Sequence, residues 1–213
     1  MKKNLTELVF ILDRSGSMSG LEKDTIGGFN SMLDKQRRED GDAVITTVLF
    51  DHEYELLHDR IPLAGVSSIT ERDYYVRGTT ALLDAIGLTI RKTVHARRHT
   101  AESMRPDKTL FVIITDGMEN ASHEFRAGQI RAMIEEEKRY GWEFLFLGAN
   151  IDAISAASKI GISADRAVNY HADAEGTRLN YEVLSETISN VRASRPMAAD
   201  WKTRIDADYQ SRA

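Results

Sequence analysis

The sequence predicts an α/β domain built on a mostly parallel central sheet, with one antiparallel edge strand and helices on both faces. Three observations carry that prediction. Apolar runs too short for helices and rich in strand formers alternate along the chain with longer segments of helical periodicity. Two early runs are separated by only three residues, Asp51-His52-Glu53, which makes them a hairpin and supplies the antiparallel neighbour. The run LFVIIT at 110–115 is continuously apolar, as a strand buried on both faces should be. Alternation of this kind belongs to parallel sheets covered by crossover helices.

Taken in order, LVFIL at 8–12 is the first strand, and a helix over 21–35 follows with Ile26, Phe29, Met32 and Leu33 at helical spacing. AVITTVLF (43–50) and YELLHDRIPL (54–63) form the hairpin. A helix over 80–94 places Leu82, Ala85, Ile86 and Ile90 on one stripe. After LFVIIT, a helix near 127–140 carries Ile130, Met133 and Ile134 on one side, with Glu135, Glu136 and Glu137 read as a water-facing run. EFLFL (143–147), a short helix (151–159), a brief strand (167–170) and a last helix (177–191) with Leu184, Ile188 and Val191 inward complete the pattern. The reading is one domain over 1–193 and a polar tail over 194–213, in which Trp201 and Tyr209 are the residues able to dock it.

Bulk composition narrows the class. A chain of 213 residues, 42% hydrophobic, can bury a core large enough to need no disulfide or structural metal. It has no cysteine, which excludes disulfides and thiolate metal sites and favours a reducing compartment. The opening Met1-Lys2-Lys3 and the apolar run that ends at Asp13 are too short for a secretory signal. No stretch approaches the roughly 20 apolar residues of a membrane span. The expectation is a cytoplasmic protein without membrane contact, a monomer or weak oligomer. Its formal charge of −5 argues against nucleic acid as a partner.

In an open parallel sheet, ligands bind beyond the carboxyl ends of the strands. The first strand ends in Asp13-Arg14-Ser15-Gly16-Ser17-Met18, and LFVIIT ends in Thr115-Asp116-Gly117-Met118-Glu119-Asn120. Between them, Arg77-Gly78-Thr79-Thr80 enters a helix. Three separate segments thus bring short oxygen-bearing side chains to one edge of the sheet. The chemistry that suits them is a hard divalent cation: Asp13 and Asp116 supply charge, and Ser15, Ser17 and Thr80 supply neutral oxygens. Zinc and softer metals are disfavoured by the lack of Cys and of clustered His in these segments.

The segments VFILDRSGSM, GTTALLDAI and IITDG, in that order, resemble the three parts of the metal-ion-dependent adhesion site of von Willebrand factor A domains. GWEFLFLGANIDA is similar to a segment of stand-alone bacterial and phage members, including those from tellurite-resistance gene neighbourhoods. The resemblance spans about residues 5–193. It implies a Rossmann-like fold of that family and a Mg²⁺ site, with Mn²⁺ or Ca²⁺ as alternatives, formed by Asp13, Ser15, Ser17, Thr80 and Asp116. Counting back from Ala85-Ile86 selects Thr80 over Thr79. It also implies that the aspartates act partly through water and that the metal bridges to a Glu or Asp of a partner protein.

Arg14, Met18, Thr79, Met118 and Asn120 are the expected rim, with Arg14 and Met18 pointing outward. Asn150 and Asp152, which follow the EFLFL strand, are read first as helix caps, with a place at the rim of the site as the alternative, and His95, Arg97, Arg98 and His99 as a solvated helix end. An enzyme is disfavoured. A haloacid-dehalogenase-type phosphatase needs an acid where Ser15 stands, and no phosphate loop is present. The alternatives to a binding module are a metal-dependent phosphoester hydrolase and a regulatory subunit with a purely structural metal.

Overall fold

The computed structural model describes residues 4–198 and 200–212, so the Met1-Lys2-Lys3 opening lies outside the described residues. Among the described residues six strands and six α-helices occur in the order β1 (Leu5–Asp13), α1 (Glu22–Gln36), β2 (Asp42–Phe50), β3 (Tyr54–Pro62), α2 (Leu82–Arg98), β4 (Lys108–Thr115), α3 (Ala127–Arg139), β5 (Trp142–Ala149), α4 (Ala153–Lys159), β6 (Ala167–Tyr170), α5 (Ala174–Arg192) and α6 (Thr203–Ser211). They form one sheet of order β3-β2-β1-β4-β5-β6. All neighbours are parallel except the β2–β3 hairpin, so β3 is the antiparallel edge strand.

The order reverses at β1. The chain moves outward to β2 and β3, then returns across the sheet to place β4 on the other side of β1. The carboxyl ends of β1 and β4 therefore flank the switch point, where no crossover covers the edge. Alternation along β1 sends Leu8, Phe10 and Leu12 into one core, which also holds Phe29 of α1 and Leu184 of α5. Val9 and Ile11 enter the opposite core, with Ile86 of α2 and Ile130 of α3. Among the described residues no helix is long and apolar enough to cross a membrane.

Two expectations about charged segments are refined. Glu135 and Glu136 are exposed, but Glu137 is buried, its carboxyl pushed up by desolvation against the opposing charge of Arg97. The polar segment after residue 194 contains α6, which packs on α5 and β6. Ile205 is buried there, Trp201 Nε1 donates to the Asp165 carbonyl at 2.7 Å, and the Tyr209 ring stacks on His171 at 4.7 Å.

Candidate metal centre

Beyond Asp13 the chain turns tightly. The Ser15 N–H donates to Asp13 Oδ1 at 2.7 Å, and a single 3-10 turn over Gly16–Met18 follows. This side-chain-to-backbone bond is the device by which Asp favours turns. It bends the segment so that the hydroxyls of Ser15 and Ser17 lie 3.1 Å apart. Met18 closes the turn by entering the core beneath α1. Two backbone bonds tie this turn to the next segment: Gly16 N to Gly78 O at 3.2 Å, and Arg77 N to Arg14 O at 2.9 Å. The third segment joins through Asn120, whose Oδ1 accepts the Thr80 N–H at 2.9 Å while its own N–H donates to Thr80 O at 3.0 Å.

The side chains converge as a result. Thr80 Oγ1 donates to Ser15 Oγ at 2.9 Å. Gly117 faces this hydroxyl cluster so closely that a Cβ there would lie 2.9 Å from Ser17 Oγ and 3.1 Å from Thr80 Oγ1. Asp13 is buried, with Oδ2 accepting Thr115 Oγ1 at 2.6 Å and the Asp116 N–H at 3.4 Å, while Tyr74 donates to its carbonyl. Asp116 is buried too. Its Oδ1 accepts from Asn150 Nδ2, and its Oδ2 is enclosed with no hydrogen-bond partner.

The electrostatics of these two carboxylates are unfavourable in the bare protein. Burial pushes Asp13 above the usual carboxylate range, against the hydrogen bonds from Ser15 and Thr115. Burial first, and the negative charge of Asp13 second, push Asp116 up to about 6 despite the Asn150 bond. A buried anionic oxygen without a partner is costly. Asp116 Oδ2 is such an oxygen, whereas both Asp13 oxygens are bonded; two buried carboxylates and three clustered hydroxyls, all hard oxygen donors, fit a divalent cation. When bound, the cation would supply the positive charge that this arrangement lacks.

Thr80 is buried in the cluster and Thr79 is exposed outside it. Met118 is 74% exposed and Asn120 is exposed at the rim. The outward placement of Arg14 and Met18 is corrected: both are buried. Met18 follows the 3-10 turn inward, and Arg14 is drawn in by Asp51 at 2.9 Å and Glu55 at 2.7 Å. Asp152 caps α4 by accepting the Ser155 N–H, whereas Asn150, in a left-handed conformation at φ 53°, turns its amide onto Asp116. The cap reading therefore holds for Asp152 and not for Asn150.

Thr115 and Tyr74, which hold Asp13, were not singled out from the sequence. Thr115 had a signal in its place directly before Asp116 on the strand; Tyr74 had none. Asp84, at the start of α2, accepts the N–H groups of His123, Glu124 and Phe125 and so anchors the chain beyond the third segment. Asp51, His52 and Glu53 also bring three ligand-type atoms within 4.8 Å of one another. The Asp51 oxygens there are already taken by Arg14, Arg77 and the Glu53 N–H.

No protein-family model matches the chain, and no curated protein matches it. Solved structures do. Proximal thread matrix protein 1 of the mussel byssus, with a zinc-occupied MIDAS motif, superposes with a TM-score of 0.58 at 14% identity, over 86% of this chain and 46% of its own. Manganese-loaded TRAP protein of Plasmodium vivax gives 0.56 at 16% identity, over 83% and 72%. A von Willebrand factor type A structure from Catenulispora acidiphila gives 0.55 at 13% identity, over 88% and 43%. The chain spans less than half the length of the mussel protein. At such identities the likeness is one of fold: this chain has the fold of von Willebrand factor A domains.

Proposed function

We propose that the protein is a metal-dependent protein-binding module. Asp13, Ser15, Ser17, Thr80 and Asp116 hold one Mg²⁺ at the carboxyl edge of the sheet, and an acidic residue of a partner completes the coordination. The observation that carries this reading is the enclosed, unpartnered Asp116 Oδ2, one residue before the Gly117 that packs on Ser17 and Thr80, together with the Ser15 hydroxyl bonded to both of theirs. Likeness to folds whose structures hold zinc or manganese supports it. Hydroxyl ligands add no charge, and the charge of Asp13 is shared with the N–H and O–H groups that already bond both its oxygens, so a cation held here would remain electrophilic toward one more hard anion, and a carboxylate is that anion in a protein partner.

Among the five residues, Asp116 supplies the open carboxylate oxygen. Asp13 is more fully engaged by the protein and acts as much by shaping the Ser15–Ser17 turn. A nucleophilic-serine hydrolase fits less well, because Ser15 Oγ is bonded to the hydroxyls of Ser17 and Thr80 and faces the buried Asp13 carboxylate, with no histidine among these partners. The test is calorimetric titration of metal-stripped protein with Mg²⁺ and Mn²⁺, followed by capture of partners from lysate with and without EDTA. One-to-one metal binding that disappears in the Asp13→Ala, Asp116→Ala double variant is expected, as is an EDTA-sensitive partner that depends on a single carboxylate. Equal metal binding by the double variant removes the site. Metal binding without EDTA-sensitive capture leaves the metal a structural role.

A further inference from the structure

A buried ion cluster lies beside the proposed metal centre without belonging to it. Asp51, at the end of β2 and fully buried, receives Arg14 Nε at 2.9 Å and Arg77 Nε at 2.8 Å on Oδ2. Its Oδ1 accepts the Glu53 N–H at 2.8 Å, and its carbonyl accepts the Ala81 N–H at 2.8 Å. The positions of these partners along the chain matter. Arg14 stands between Asp13 and Ser15, and its side chain leaves the turn toward Asp51 and Glu55. Arg77 lies three residues before Thr80, and Ala81 directly follows it. Asp51 therefore bonds to both segments that must bring Ser15 and Thr80 together, and to the second one twice. Within the second segment Gly78, at φ +67°, passes so close to His52 that a Cβ would fall 2.1 Å from Nδ1. The hairpin is thus pressed against the Thr80 segment where Asp51 acts.

We infer that Asp51, acting through Arg14 and Arg77, is a positioning residue for the metal centre: it sets the spacing between the Asp13–Ser17 turn and Thr80. The inference rests on the metal-binding reading above. A small octahedral cation tolerates little displacement of its ligands. Partners that orient ligands from behind typically change metal affinity by about 10–100-fold when lost.

Two other roles for the cluster make different predictions. A brace that only stabilises the fold lowers the melting temperature in EDTA but leaves the metal affinity of folded protein unchanged. Simple Coulomb interaction makes Asp51→Asn weaken cation binding and Arg77→Gln strengthen it, because the first removes a negative and the second a positive charge. Positioning predicts that both variants weaken it. Arg77→Gln is the deciding variant, since its side chain is 34% exposed and its loss leaves the Arg14–Asp51 pair in place.

The experiment is calorimetric titration of wild type, Arg77→Gln, Asp51→Asn and Glu55→Gln with Mg²⁺ and Mn²⁺ well below the unfolding transition, with melting in EDTA measured in parallel. We expect Arg77→Gln to weaken binding about tenfold and Asp51→Asn by more. Glu55→Gln removes the outer partner of Arg14 alone and should bind close to wild type. If Arg77→Gln binds as tightly as wild type, or more tightly, the positioning role is overturned whatever Asp51→Asn does. If wild type itself binds neither metal, the metal-binding reading fails first and this inference falls with it.

Discussion

Replacing Asp116 with Asn should stabilise the metal-free protein at neutral pH, although it destroys the site. The folded carboxyl sits at about 6, above its ordinary value of 3.8. A raised carboxyl pKa means that ionisation opposes folding. The contribution of this group is fully present below pH 3.8 and is lost as pH rises through about 6. That displacement corresponds to a cost of about 3 kcal/mol at pH 7, and about half of it once relaxation of the site is allowed. Asn keeps the oxygen that accepts from Asn150 and carries no charge to desolvate.

In EDTA at pH 7 the variant should therefore melt above wild type by about 3–10 °C, at about 2–4 °C per kcal/mol for a domain of this size. Near pH 4 the two should converge, because wild-type Asp116 is then neutral as well. Mg²⁺ reverses the order. At a thousand times Kd it stabilises a binding-competent wild type by about 4.1 kcal/mol, more than the cost of the buried charge, while the variant should gain nothing. Differential scanning fluorimetry across pH 4–8, with and without Mg²⁺, measures all three effects. An Asn variant that is less stable than wild type in EDTA at pH 7, or a difference that ignores pH, would refute the account of a strained carboxylate awaiting a cation.

Two further outcomes follow from the geometry. Thr80→Ala should weaken Mg²⁺ binding about tenfold or more while Thr79→Ala leaves it near wild type, because Thr80 Oγ1 touches Ser15 Oγ and Thr79 is exposed; calorimetry that finds the reverse order would move the ligand by one residue. Gly117→Ala should cost metal affinity and about 1–3 kcal/mol of stability, since its Cβ would press on Ser17 Oγ and Thr80 Oγ1; a variant that melts and binds like wild type would mean that the cradle is looser than 2.9 Å.

Much of the fold could be read from the chain because each strand and helix declares itself locally. LFVIIT reads as a doubly buried strand without reference to any other segment, and β4 is indeed buried along nearly its whole length. The hairpin follows from a three-residue gap. The candidate site residues are offered by the chain for a related reason: Asp13, Ser15, Ser17, Thr80 and Asp116 each follow a strand or enter a helix, and parallel topology gathers strand ends at one edge. The family resemblance puts Thr80 rather than Thr79 in register with Ala85-Ile86, and the structure buries the former and exposes the latter.

Other properties depended on partners far away in sequence. Arg14 reads as a solvent-facing loop charge until Asp51, 37 residues on, is brought beside it by β1–β2 pairing and makes its burial affordable. Met18 reads as a rim residue until the 3-10 turn sends it beneath α1. Asn150 reads as a cap until β5 is placed next to β4 and its amide meets Asp116, 34 residues away. The chain by itself thus determined which atoms are offered at the sheet edge, because side-chain chemistry and strand periodicity are local. Tertiary structure alone decided which of those atoms are buried, paired or left without a partner, because desolvation and charge compensation depend on what long-range strand pairing places within hydrogen-bonding distance.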